Sequence, residues 1–153
     1  MNIRKATVGD VTDISKLYLK LTKAMADLQP FFFKEETQEE SFIKKLIEEN
    51  TSDILLACNG KEVEGFAFIQ EQVTPPFAIF HQHRFAYFLD LLVRPEQQGK
   101  GIGTKLINAC KEWSKERELD YIQLSVLTNN HSAIQLYKRQ GFEEQSLTMY
   151  HKL

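Results

Sequence analysis

Cysteine is scarce in this chain: Cys58 and Cys110 are the only two in 153 residues. Each sits inside an apolar pattern, the first strand-like and the second helix-like. With no close-spaced cysteine or histidine beside them, they exclude a disulfide-stapled scaffold and a metal framework. They read as reduced core residues of a cytoplasmic protein. Long apolar runs are also missing, so no segment has the length of a bilayer span. The start, Met1-Asn2-Ile3-Arg4-Lys5-Ala6, lacks the apolar region of a signal peptide. Basic charge is not in excess: 19 Lys and Arg stand against 21 Asp and Glu, for a formal net charge of −2. That balance, with no long basic block, removes the electrostatic case for nucleic acid. No internal repeat, linker or low-complexity tract is present. What remains is an ordinary mixture, 42% hydrophobic and 26% charged, suited to one domain over residues 1–153 with a single sizeable core.

Apolar periodicity divides the chain into elements. Ile3 to Ala6 is a short strand. A helix opens after Val8-Gly9-Asp10, with Val11, Ile14, Leu17, Tyr18, Leu21 and Met25 at helical spacing. Pro30 ends it, because proline cannot continue the hydrogen-bond ladder. A more charged helix follows from about Thr37 to Glu49. Asp53–Cys58 and Val63–Glu71 flank Asn59-Gly60, a hairpin turn signal. Tyr87 to Val93 is almost wholly apolar, as in a central strand buried on both faces. A third helix carries Ile102, Leu106, Ala109, Cys110 and Trp113 on one face. Tyr121–Val126 reads as a strand, Asn130–Arg139 as a short helix capped by Gly141, and Leu147–His151 as a final alternating strand. The order is α+β with one crossover.

Three of the seven glycines fall in one short loop, Gln98-Gly99-Lys100-Gly101-Ile102-Gly103-Thr104, between the central strand and the third helix. Glycines there let backbone N–H groups close around an anion, with the positive end of the helix dipole behind them. The Walker A spacing fails, because Thr104 follows Gly99 by five places. The dinucleotide fingerprint fails too, because Leu106 stands where its last glycine should be when the count starts from Gly101. What fits is Gln-x-x-Gly-x-Gly at Gln98, Gly101 and Gly103. Some thirty residues on comes Asn130-x-x-Ala133-x-x-x-Tyr137-x-x-x-Gly141-Phe142.

In order and spacing these two blocks resemble the GCN5-related N-acetyltransferases (GNAT), most clearly from Leu89 to Phe142. The resemblance implies a mixed central sheet flanked by helices, in which the central strand and the next splay apart like a V. It implies acetyl-CoA as co-substrate, an amine acceptor and no metal. Backbone amides from Gly99, Lys100, Gly101, Ile102, Gly103 and Thr104 would cradle the pyrophosphate, with Gln98 at the loop's start. Backbone near Leu91 and Val93 would bond the pantetheine arm, and Asn130 would contact it. As a residue type Asn130 is equally a helix cap.

Acetyl transfer needs a neutral amine, a polarised carbonyl and a stabilised leaving thiolate. By resemblance, Tyr137 donates to the coenzyme sulfur; outside the motif it would read as a packed aromatic. The proton of the amine is less determined. Family positions for a carboxylate are held here by Tyr87 and Leu89. Asp90 is the only acid in the central strand, where burial would raise its pKa, and Glu71 or a water chain are the alternatives. His81 and His83 read as solvated or as part of the acceptor entrance. Phe31-Phe32-Phe33 would wall the acceptor pocket, plug the core or form the contact of a homodimer. With no cysteine placed as a nucleophile, the expectation is direct transfer to a primary amine of a small molecule. A protein or peptide N-acetyltransferase, and a coenzyme A-binding sensor or interaction module, are the rival readings.

Overall fold

A computed structural model describes residues 1–153. Strand β1 (Asn2–Lys5) and a 3-10 turn at Val8–Asp10 lead into α1 (Val11–Leu28) and α2 (Glu40–Glu48). A meander follows, of β2 (Ser52–Asn59), β3 (Glu62–Val73) and β4 (Arg84–Val93). Then come α3 (Ile102–Glu116), β5 (Ile122–Leu124) and α4 (His131–Arg139). The five strands form one sheet in sequence order. Every pairing is antiparallel except β4 with β5. The Asn59-Gly60 hairpin forms as the sequence implies, with Gly60 at φ 61°.

Strand alternation splits the interior in two. Ile54, Leu56, Phe66 and Phe68 point to one face, where Ile14, Leu17 and Tyr18 of α1 and Ile43 and Leu46 of α2 cover them. Leu55, Ala57, Ala67 and Ile69 point to the other, against Ile102, Leu106, Ile107, Cys110 and Trp113 of α3. A period of two on each strand meets a helical stripe on each side. The mixed sheet between helices is the α+β arrangement expected of the GNAT fold.

The expected strand at Leu147–His151 does not form. Residues 143–153 are exposed and coil-like, and none of their backbone groups is hydrogen-bonded to the chain's backbone. Alternation specifies a strand only where a neighbouring edge lies within pairing distance, and this tail does not reach one in its own chain.

One glycine holds two central strands together. A Cβ on Gly65 would lie 2.7 Å from the backbone oxygen of Leu92, closer than real contacts allow. Gly65→Ala should therefore lower stability by about 1–3 kcal/mol through overpacking, measured by urea denaturation. Gly103→Ala should cost far less, since its Cβ would meet side chains and no backbone, Leu136 at 3.2 Å and Val93 at 3.9 Å, and alanine favours the helix.

Candidate active site

The site begins where two strands part. β4 and β5 pair at Ala86–Ile122, Tyr87–Gln123 and Phe88–Leu124 and no further. β4 continues beside β3 to Val93. Just beyond, the Arg94 N–H donates to the Glu64 carbonyl on β3 at 2.8 Å. Backbone groups alternate sides along a strand, so those of Val93 and Leu91 turn away from β3, into the opening. The Val93 carbonyl accepts from Gln98 Nε2 at 3.2 Å. Leu91 turns its backbone pair into the same opening.

The glycine loop closes one end of that opening. Gly99 (φ 78°) and Gly101 (φ 82°) both take the left-handed conformation, which costs glycine little. A Cβ on either would meet no atom within 4 Å. No backbone N–H from Gly99 through Thr104 finds a backbone acceptor; the first to do so is Lys105, which donates to Gly101 at 3.1 Å. Gly101 is the N-cap of α3 and brings no capping side chain. The loop and the first helical turn thus aim a row of donors and a dipole at open space, which suits a diphosphate. Lys100 turns aside to Gln97, with Nζ 2.9 Å from Oε1. Gly103 serves differently, letting α3 pack closely against Leu136 of α4.

A β-bulge aims Asp90. The β3–β4 register shifts between Phe68 and Ile69, leaving Leu89 as an extra residue. Leu89 packs toward the α1 face, and Asp90 turns to that face as well, where the Tyr18 hydroxyl donates to its Oδ2 at 2.9 Å. Were Leu89 held in regular alternation instead, Asp90 would share the face of Phe88, against α3. Gln38 Nε2 in turn donates to the Tyr18 oxygen at 3.3 Å. Burial pushes the Asp90 carboxyl up to about 6, with the Tyr18 hydrogen bond opposing. The Tyr18 phenol rises above its ordinary range through burial and the Asp90 charge. Tyr18 and Gln38 went unmarked in the sequence. Tyr18 reads there as one more apolar position of α1, and nothing local ties it to a residue 72 positions away.

Tyr137 stands on the opposite side of the opening. Its ring meets Phe88 and Phe142 edge-on, at 6.5 Å and 5.7 Å between centroids. Burial first, then Cys110 and the Asp90 charge, push its phenol up to about 12, so it holds its proton at neutral pH. No polar side-chain atom in the protein is buried without a partner. Asp90 Oδ1 and the Tyr137 hydroxyl make no hydrogen bond within the chain, so both reach solvent. Asn130 caps α4, its Oδ1 accepting from the Ala133 N–H at 3.3 Å, which leaves its amide nitrogen for another acceptor.

Three other candidates lie elsewhere. Glu71 is paired to Arg84 and, at 3.6 Å, to Arg117, opposite Ala86 near the start of β4 and so at the end remote from the loop. His83 pairs with Asp120 at 2.8 Å at that same end. Phe31 and Phe32 are exposed in the connection between α1 and α2. There they line a cavity of ≈ 590 Å³ with Gln29, Thr128, Asn129, Tyr150 and Lys152, so they wall a space and do not plug the core.

The raised Asp90 pKa has a testable sign. In the folded state the group sits at about 6 against an ordinary 3.8, so between these values the folded protein binds more protons. Stability from this group is full below about pH 4 and is lost as pH rises through about 6. The difference is worth about 3 kcal/mol. Asp90→Asn, which can still accept from Tyr18, should exceed the wild type in stability at pH 8 and lose that advantage by pH 4. Urea denaturation across that range measures it; parallel curves would contradict it.

Residues 21–142 match the model of the Acetyltransferase (GNAT) family. An uncharacterized N-acetyltransferase of Bacillus subtilis, YhfO, is 31% identical, covering 94% of this chain and 91% of its own. The aminoalkylphosphonate N-acetyltransferase of Salmonella typhimurium is 25% identical, covering 93% and 84%. A crystal structure of a point mutant of the BH1408 protein from Bacillus halodurans superposes with a TM-score of 0.94 at 26% identity, covering 100% of this chain and 99% of that one. Parted strands, a glycine loop of free donors and these likenesses agree: the chain is an acetyltransferase and belongs to the GNAT family.

Proposed function

We propose that the protein transfers an acetyl group directly from acetyl-CoA to a primary amine of a small molecule. The observation that carries this reading is the run of unengaged N–H donors from Gly99 to Thr104 at the mouth of the β4–β5 opening. A diphosphate fits those donors, and Gln98 sets the loop by holding the Val93 carbonyl. The pantetheine arm would pair with Leu91 and Val93 as an added strand, and the amide nitrogen of Asn130 would steady it from α4. Acetyl-CoA supplies the acetyl group as a thioester.

Asp90 is the general base in this reading. With its pKa near 6 it is ionised at neutral pH yet basic enough to take a proton from an incoming ammonium. Tyr18 fixes the orientation of one oxygen and leaves the other free. Tyr137 is the donor to the leaving sulfur, its hydroxyl open to the cleft and protonated throughout the working range. The thiols support direct transfer. Cys58 and Cys110 are both buried, and burial pushes the Cys110 thiol up to about 12, far from a reactive thiolate. A small acceptor is supported by the aromatic-walled cavity of ≈ 590 Å³, a volume ordinary for small-molecule sites. The amine-acetylating activity named for the Salmonella relative points the same way.

Two measurements test the reading. Acetyl-CoA at 100–1,000 times its Kd should raise unfolding stability by about 3–4 kcal/mol. In Gly101→Val the added side chain occupies the anion's place and the shift should vanish; a full shift in the folded variant overturns the phosphate assignment. Tyr137→Phe should keep acetyl-CoA binding and lower turnover by about 10²–10⁴, read in single-turnover acetyl transfer to an amine. The loss should shrink for an acyl donor with a more acidic thiol. Equal rates with chemistry limiting would leave Tyr137 as packing.

A further inference from the structure

The wall of the larger cavity carries a charge that nothing in the chain answers. Its aromatic side is a cluster of three rings. Tyr150 stacks on Phe31, at 6.2 Å between centroids and 11° between planes, and meets Phe32 edge-on at 4.7 Å. Phe31 and Phe32 meet edge-on at 5.0 Å. These contacts hold this part of the tail against the connection between α1 and α2. Residues two apart in an extended chain point to one side, and Lys152 joins Tyr150 in the cavity wall. Its Nζ stands 4.3 Å from the centre of the Phe31 ring. No carboxylate comes within ion-pair distance of it.

The opposite wall is tied down and neutral. Asn129 donates to the Leu28 carbonyl at 2.8 Å and accepts from Gln29 Nε2 at 3.2 Å. These two bonds join the end of α1 to the loop between β5 and α4. Lys152 is the only charged residue lining the ≈ 590 Å³ space. The Phe31 ring steadies that charge by a cation–π contact and supplies no counter-ion. A second cation would be repelled here, with no acid to offset it. An anion would gain a partner. An apolar stem attached to the anion would cover Phe31 and Phe32, which are 62% and 48% exposed.

We infer that this cavity holds the far end of the acceptor, and that this end is an anion on an apolar stem, paired with Lys152. The placement rests on the protein being a small-amine acetyltransferase. Asn129 is followed directly by Asn130, which that reading sets beside the coenzyme's arm. Tyr18 holds Asp90, and Leu28 at the cavity lies about 15 Å further along the same helix, at ~1.5 Å per residue. An amine that reaches Asp90 and fills the cavity is therefore elongated. Asp90 receives its ammonium end and Lys152 its acidic end. Opposite charges at the two ends of the site also decide which end reacts.

Three acceptors with one stem test this: ω-aminooctanoate, octylamine and α,ω-diaminooctane end in an anion, a methyl group and a cation. Wild type should acetylate aminooctanoate with a kcat/KM about fivefold above octylamine, the scale of one partly exposed ion pair, and the diamine least well. Lys152→Gln should erase the difference by raising KM for aminooctanoate with kcat unchanged. Lys152→Glu should favour the diamine. Lys61→Gln, at the exposed β2–β3 turn, removes the same charge elsewhere and should change nothing. Equal kcat/KM for the three acceptors, or a preference that survives Lys152→Gln, overturns the inference and leaves the acetyltransferase reading standing. Octanoate titrated by calorimetry needs no turnover. It should bind wild type and weaken about fivefold in Lys152→Gln; no binding to wild type overturns the anion site. Octanoate that binds through Lys152, while none of the three amines is acetylated, would keep the anion site and overturn its role toward an acceptor.

Discussion

Neighbouring strands that separate inside a protein strand their own hydrogen bonds, and the fold must either fill the gap or give it to a ligand. Here β4 and β5 run together for three residue pairs and then diverge, exposing the backbone of Leu91 and Val93. Everything at the site is arranged around that gap. The glycine loop caps its end, because β4 runs straight into it. Gln98 takes one of the freed carbonyls. Asp90 and Tyr137 stand on its opposite sides, near enough for the charge of one to raise the pKa of the other. The parting is sustained by packing on both faces: α1 and α2 hold the meander on one side, and α3 and α4 carry β5 on the other.

The two sides are chemically unequal. On the α1 side a carboxylate is buried beside a phenol and an amide, a chain of groups running from Gln38 through Tyr18 to Asp90. On the α4 side the lining is aromatic, with one hydroxyl. In the proposed mechanism the base sits where a negative charge is tolerated but not comfortable, and the acid where nothing competes for its proton. Burial produces both conditions from ordinary residues, raising one carboxyl into the neutral range and holding one phenol out of it.

Much of this was legible in the sequence, and what was legible was local. The glycine loop between a strand and a helix, the Asn59-Gly60 hairpin and the amphipathic faces of α1 and α3 each depend on residues near one another in the chain. Asp90 stood out because it was the one acid in an apolar strand. Its partners did not, since Tyr18 and Gln38 meet it only through tertiary packing. The bulge at Leu89 left no mark either, because an inserted apolar residue in an apolar run looks like more strand. The tail carried a true alternating pattern, and the pattern misled for a physical reason: a strand is a relation between two segments, and one of them is not in this part of the chain's own sheet. Of the two readings of Asn130, the cap is seen: its side-chain oxygen caps α4, and its amide nitrogen takes no part.

The bulge at Leu89 also says something about heredity. Along a regular strand a deletion of one codon rotates everything beyond it to the other face. Loss of Leu89 is different, because Phe88 already stands opposite Ile69 and Asp90 opposite Phe68. Without the extra residue the strand would become regular and Asp90 would still face Tyr18. The carboxylate's place therefore tolerates a change of length at this one point, and an alignment would need a one-column gap at Leu89 to keep the acid in register.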